Sequence, residues 1–391
     1  MYGDTIMQID EISERHSSEI ALVILCCRVF LKTASDIELE TFVHAHSIDW
    51  PAVYQCSVTH RIRPVVYHVL SNARIQVPAG VSRQFRNYCH AFSVFAFDRQ
   101  MESVRIQQLL LQKGISGRMY KGLDFSRTAY NGDISMREFT DMDFIINIQD
   151  VSAVVALMRA EGYGGKGMEY FRRFSARFLA SHKDICFHKR CPRGRTFSFE
   201  FHYRPVKYIS DVSCSFPDIL GQDHLSAGPL THQQYYQLML LNHGSSDYYP
   251  DLRSLLDLAM LTGDSGAVPQ QLQRFEKLWQ LLAVQLLNYP DQLSFVSADS
   301  SLQRVAGILT KRLLSTTPQT SMPQKTFMDK VRMNIRFSQY PRAKLRLLIR
   351  AIQFLLLPNE NDIEGLRLPH FSLYYFTKPF RLIKGVLKSG V

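Results

Sequence analysis

The sequence predicts an α+β protein: a small sheet-bearing core set between N- and C-terminal helical regions. Three observations predict it. Apolar residues in the outer thirds recur at helical spacing, as at Val94, Phe97, Met101 and Val104. The middle third instead carries short runs of strand character, such as Phe144-Ile145-Ile146 and the alternating Phe197-Ser198-Phe199-Glu200-Phe201. The composition, 46% apolar and 21% charged over 391 residues, is that of a globular protein and excludes disorder, collagen and coiled coil. A chain of this length predicts two domains, or one core with helical extensions.

The elements follow in order. Ser18 to Lys32 has a broad apolar face and predicts a helix. Asp49 to Ser71 predicts another, opening at Asp49-Trp50-Pro51 with proline in the first turn. Val81 to Lys113 predicts one long or broken helix, closed by Gly114. Strands are expected at Ile115 to Tyr120 and Asp141 to Ile148, then a helix at Val151 to Glu161 ended by Gly162. Strands at Asp184 to Lys189 and Thr196 to Tyr203 follow, joined by a turn at Cys191-Pro192-Arg193-Gly194-Arg195. Helical periodicity returns at Thr231 to Asn242, Leu252 to Thr262 and Gln270 to Leu287, punctuated by Pro269 and Pro290. Ser300 to Ser321 predicts a shorter helix and a Ser/Thr/Pro linker, and Arg342 to Leu356 a basic helix. The expected divisions are a helical region over 1–113, an α/β core over 114–225, a second helical region over 226–324 and a basic segment over 325–391.

The net charge of +11 is unevenly placed. From Lys325 to Val391 there are 13 Lys and Arg against 4 Asp and Glu, a balance of +9, which leaves +2 for the rest. Such a tail admits nucleic acid, nucleotide, a phosphorylated substrate or anionic lipid as partners. Arg342, Arg346 and Arg350 lie four apart on one helix face. The preferred reading is a solvated face whose apolar side (Leu345, Leu348, Ile349, Ile352) packs on the core, with nucleic acid the less favoured partner. From Lys378 to Lys388, Phe380, Leu382 and Ile383 interleave with Arg381 and Lys384, a pattern for weak contact with an anionic membrane surface. No stretch approaches the roughly 20 apolar residues of a membrane span. The longest apolar run, Ile20 to Cys27, is eight residues behind a polar, acidic start unlike a signal peptide, so a cytoplasmic protein is expected. Seven cysteines at irregular spacing predict reduced, partly buried thiols. His182, Cys186, His188 and Cys191 are zinc-ligand types within ten residues, but their spacing fits an ordinary hairpin better.

The residues that point to chemistry are acids. On a strand, Asp141 and Asp143 project from one face, so two carboxylates converge and repel unless a cation lies between them. Mg²⁺ suits such hard oxygen ligands. A third acid, Glu200, lies on the face of its strand shared with Ser198 and His202, opposite Phe197, Phe199 and Phe201. Lys121-Gly122 follows the first strand, where glycine permits close backbone approach to an anion and lysine supplies a point charge. Arg137, four residues before Asp141, suits a phosphate or a carboxylate.

The ordered set Lys121-Gly122, Tyr130, Arg137-x-x-x-Asp141-x-Asp143, Gly162-Tyr163 and Glu200-x-His202 resembles the uncharacterised nucleotidyltransferase family of the DNA polymerase beta superfamily. Asp49-Trp50 and His60-Arg61 with Pro64 resemble its N-terminal helices. His243, Arg253 and Asp257 resemble its later helical region, and Leu368-Pro369 and Lys378-Pro379-Phe380-Arg381-Leu382 its C-terminal end. The resemblance implies a small mixed sheet, with Asp141, Asp143 and Glu200 binding Mg²⁺ or Mn²⁺ that clamps a nucleoside triphosphate. One metal would activate an acceptor hydroxyl and the other stabilise pyrophosphate, while Lys121, Gly122 and Arg137 receive the triphosphate. The superfamily's usual Gly-Ser phosphate-binding pair is here Lys121-Gly122. His202, Tyr130, His243, Arg253 and Asp257 would act behind the site or on substrate; packing is preferred for His202, and an i,i+4 ion pair is the plain reading of Arg253 and Asp257. The acceptor is open: a small molecule, sugar phosphate or peptide. The rival readings are a tailoring transferase that moves another moiety, such as a sugar from a nucleotide-sugar, and a non-catalytic nucleotide- or nucleic-acid-binding protein.

Overall fold

The structure is a computed structural model and describes residues 6–191, 194–206, 212, 214–222, 225, 229–262, 266–289, 299–315 and 327–378. The expectations placed on Pro290, on the Ser/Thr/Pro linker and on Phe380 to Lys388 lie outside these residues. The chain divides into two compact units. One comprises residues 1–104, 120–140 and 228–330, the other 105–119, 141–227 and 331–391.

The first unit is helical. Its centre is the helix Ser18–Phe30, where every residue from Ile20 to Cys27 is at most 2% exposed. A helix apolar on all sides must be surrounded, and Ile9–Arg15, Asp36–Ala45, Trp50–Thr59, Arg63–Asn72 and Gln270–Leu287 all pack on it. Its Arg28, buried near the C-terminus, donates to Met7 O and Leu286 O. Short polar residues start these helices: the Ser17 and Asp49 side chains accept amide protons, and Ser35 forms a reciprocal box with Glu38.

One expectation changes here, and another gains detail. The single helix over Asp49 to Ser71 is two helices, because Arg61 takes φ +58° and Pro64 opens the second helix at its N-terminus. Proline has no N–H for the preceding turn, and its ring would strike the carbonyl of His60. The long helix is present as Ala79–Gln112, but Val94, Phe97, Met101 and Val104 are 38–71% exposed. Its buried stripe in this unit is Phe85, Phe92, Ala96, Arg99 and Ser103. The helix Leu123–Ala129 lacked a sequence signal strong enough to predict it.

The second unit holds the sheet. Its strands are β1 (Gly117–Met119), β2 (Met142–Ile146), β3 (Asp184–Arg190) and β4 (Thr196–His202), in the order β1-β2-β4-β3. β1 is antiparallel to β2, β2 parallel to β4, and β3 antiparallel to β4. The sheet is therefore mixed, and β2 is central and buried throughout. Alternation delivers the core as expected. Phe187, Phe199 and Phe201 are fully buried, and Phe144 contacts the rings of Phe199 and Phe201. A Cβ on Gly117 would lie 3.1 Å from Leu110 Cδ1, so the edge strand runs against the end of the long helix. The β3–β4 hairpin is formed. The unpredicted helix Met168–Ser181 packs on Glu360–Leu366, and its Arg173 donates to Leu368 O and Tyr374 Oη.

The basic helix, Pro341–Leu356, overturns one expectation. It buries Ala343, Leu347 and Ala351, whereas Leu345, Leu348, Ile349 and Ile352 are 45–58% exposed. The apolar side assigned to the core faces outward.

Candidate metal centre

The parallel pairing of β2 and β4 creates the site. Its register sets Asp143 beside Glu200 and Ile145 beside His202. Neighbours in register project from the same face, and residues two apart on one strand do too. Asp143, Glu200 and His202 therefore meet on one face while the phenylalanines fill the other. Asp143 is 4% exposed and His202 fully buried, while the Glu200 side chain retains 29% exposure. His202 Nε2 lies 2.9 Å from Asp143 Oδ1 and 3.3 Å from Glu200 Oε2. One ligand atom from each of the three residues lies within 4.8 Å of the others. Ligands at about 2.1 Å from an octahedral ion are about 3 Å apart when adjacent, so this donor set fits a divalent cation.

The other imidazole nitrogen faces a further carboxylate at a distance longer than an ordinary hydrogen bond. His202 Nδ1 lies 3.5 Å from Asp184 Oδ2, and Lys183 Nζ lies 3.1 Å from the same carboxylate. The register pairs Asp184 with His202 and Cys186 with Glu200. A carboxylate behind a histidine ligand is the usual support that fixes ring orientation. Sequence reading missed Asp184, although alternation along β3 already placed it on the face of Cys186 and His188.

Asp141 is half-buried, immediately precedes β2 and is not part of the close group. The cysteine-histidine set remains an ordinary hairpin. His182 stacks on Phe178, and His188 meets Ser198 Oγ across the strands. Burial, then Glu200 and Asp184, push the Cys186 thiol far up, which disfavours the thiolate a zinc site needs. Elsewhere burial raises Cys27 and Cys89 to about 12 and Cys56 and Cys214 to about 11, consistent with reduced thiols. A cavity of about 460 Å³ opens where β2 and β4 end, lined by Ile146, Asn147, Tyr203 and Arg204 among others.

The first unit gathers the remaining candidates into a buried ionic network. Asp257 is fully buried. It accepts Arg137 Nε at 2.8 Å and Nη2 at 2.8 Å, the Tyr130 hydroxyl at 2.8 Å, and contacts His243 Nε2 at 2.9 Å. Burial alone would raise this carboxyl, but Arg137 and then His243 hold it well below the usual range. Burial lowers His243, partly offset by Asp257. The expected pairing of Arg253 with Asp257 gives way to other partners. Arg253 donates to Glu138 O at 2.7 Å and lies 3.6 Å from Asp251. Glu138 in turn accepts Arg63 and the Tyr88 hydroxyl. Tyr130, Arg137 and Glu138 are thus held from several helices at once. His243 itself lies in a π-helical stretch, Leu240–Ser246, a rare geometry that displaces side chains from α-helical positions. Lys121 is nearly buried, with its ammonium 4.8 Å from the Tyr120 ring centre. Gly122 takes φ +57° and ψ −114°, open only to glycine, at the start of Leu123–Ala129.

Sequence comparison agrees with this architecture. Residues 46–284 match a family described as an uncharacterised nucleotidyltransferase. The match spans more than half of the chain, which belongs to that family. No curated protein and no solved structure matches. The family match contains every candidate residue of both units but ends before the basic segment.

Proposed function

We propose that this protein transfers a nucleotidyl group from a nucleoside triphosphate to an acceptor hydroxyl or phosphate, releasing pyrophosphate, and that the reaction requires a divalent cation. One observation carries the reading: Asp143, Glu200 and His202 converge on adjacent parallel strands in a chain of a nucleotidyltransferase family. Asp143 and Glu200 would hold the cation through oxygen, and His202 through Nε2. Asp184, 3.5 Å from the other ring nitrogen, would support the imidazole from behind. Asp141, next to the strand, is the candidate for a further oxygen ligand. When bound, the cation neutralises charge on the triphosphate and stabilises the departing pyrophosphate. Lys121 and Gly122 lie in the first unit, and their part in phosphate binding rests on the family resemblance alone. Arg137, engaged by Asp257 through Nε and Nη2, acts by fixing its own segment.

The test is pyrophosphate release from each triphosphate with Mg²⁺ or Mn²⁺, with mass spectrometry of candidate acceptors. Cation-dependent release that disappears in Asp143→Asn supports the reading. An acceptor that gains a sugar from a nucleotide-sugar, with no pyrophosphate released, replaces it with glycosyl transfer.

A further inference from the structure

We infer that the helix Pro341–Leu356 is a docking face for an anionic lipid surface. The observation is an inversion of the usual amphipathic arrangement. A helix on a globular protein buries its largest apolar residues and exposes its polar ones. This helix packs through Ala343, Leu347 and Ala351, two of them alanines, and leaves the larger set Leu345, Leu348, Ile349, Ile352 and Leu356 at 45–58% exposure. At about 100° per residue those five form one unbroken stripe about 100° wide, and at about 1.5 Å per residue it runs about 16 Å along the axis.

Charge complementarity commits the occupant. The helix contains Arg342, Lys344, Arg346 and Arg350 and no Asp or Glu. Lys344 borders the stripe on one flank, about 40° beyond Leu348, and Arg342 and Arg346 border it on the other, about 20° and 60° beyond Ile349. Cations on both flanks of an apolar face match a bilayer interface. The leucines and isoleucines enter the acyl boundary, and the long basic side chains reach up to phosphate headgroups. The helix lies in the segment from Lys325 onward, which carries +9, whereas the rest of the chain is nearly neutral. A convex stripe of this kind requires no complementary groove from its partner. No described helix is long and apolar enough to cross a membrane, so the contact is peripheral.

The experiment uses the full chain with extruded vesicles of phosphatidylcholine alone or mixed with phosphatidylglycerol, followed by flotation. The expected result is at least tenfold stronger binding to the anionic vesicles, and at least tenfold weakening when salt is raised from about 0.1 to 0.5 M. The double variant Leu348→Glu/Ile352→Glu should lose at least tenfold of that binding. Arg342→Gln/Arg346→Gln should lose the preference for anionic lipid while keeping the apolar face. Both pairs are exposed, so an unchanged circular dichroism spectrum and thermal midpoint certify the fold. Equal binding by wild type and Leu348→Glu/Ile352→Glu would overturn the inference. So would absence of vesicle binding, or a vesicle-independent dimer dissolved by those substitutions, which would assign the face to a second copy of the chain.

Discussion

Asp257 and Asp143 are both buried carboxylates, and each meets a histidine Nε2 at 2.9 Å. Their further surroundings differ. Asp257 also receives a two-pronged arginine and a tyrosine hydroxyl, so its oxygens are matched by donors from its own unit. Asp143 has a second carboxylate, Glu200, as its neighbour in register, and a third, Asp184, stands behind the shared histidine. The first arrangement brings its own positive charge and works as a structural clamp. The second sets three carboxylates about one imidazole, with Lys183 on the outermost of them, in a donor set that could hold a divalent cation. Burial and a histidine contact alone do not separate a site from a scaffold; the identity of the third and fourth partners does.

The comparison breaks most readily at Asp143. Asp143→Asn removes an ionised ligand and should lower cation-dependent pyrophosphate release by about a thousandfold or more, measured with saturating triphosphate. Residual activity within tenfold of wild type would place the chemistry elsewhere. The matching substitution in the other region, Asp257→Asn, leaves Arg137 buried beside a neutral amide. It should destabilise the protein by about 3–5 kcal/mol in urea denaturation at pH 7. A loss below about 1 kcal/mol would show that the clamp is not structural.

Asp184→Asn sharpens the contrast. It preserves shape but weakens the support for His202, and should reduce Mn²⁺ affinity about 10–100-fold by calorimetry with little change in the urea midpoint. An unchanged affinity would remove Asp184 from the centre. The smallest effect concerns pH. Burial holds His60 at about 4 in the folded protein, where Leu252 N–H donates to its Nδ1. The unfolded chain takes up that proton near 6.5, so stability is fully present above that pH and falls as pH drops from 6.5 toward 4. The His60 contribution between pH 7 and 5 is about 2 kcal/mol. It is measured as the difference in pH slope between wild type and His60→Gln, and equal slopes would refute it.

Much of this was legible in the sequence. Alternation along Phe197 to His202 placed Glu200 and His202 together opposite a row of phenylalanines, because a strand has only two faces. The apolar run Ile20 to Cys27 announced a helix enclosed on all sides. Asp184 was not legible as a partner of His202, since its meaning depends on strand register, a pairing between distant segments. Periodicity misled at Leu345 to Ile352, whose apolar side was expected to meet the core. A period of 3.6 identifies a helix but not which of its stripes meets the core.

By itself, then, the sequence determined what local chemistry and side-chain period control: the helical and strand segments, the phenylalanine face of the sheet, the acid types at Asp143 and Glu200, and the basic character of the last segment. The tertiary structure decided which distant groups meet. It bound Arg137 to Asp257, paired Glu138 with Arg63, set Asp184 behind His202, and turned the larger apolar face of Pro341–Leu356 outward. The physical reason is that periodicity is a property of a segment, whereas the partner of a buried charge is settled by the packing of several segments at once.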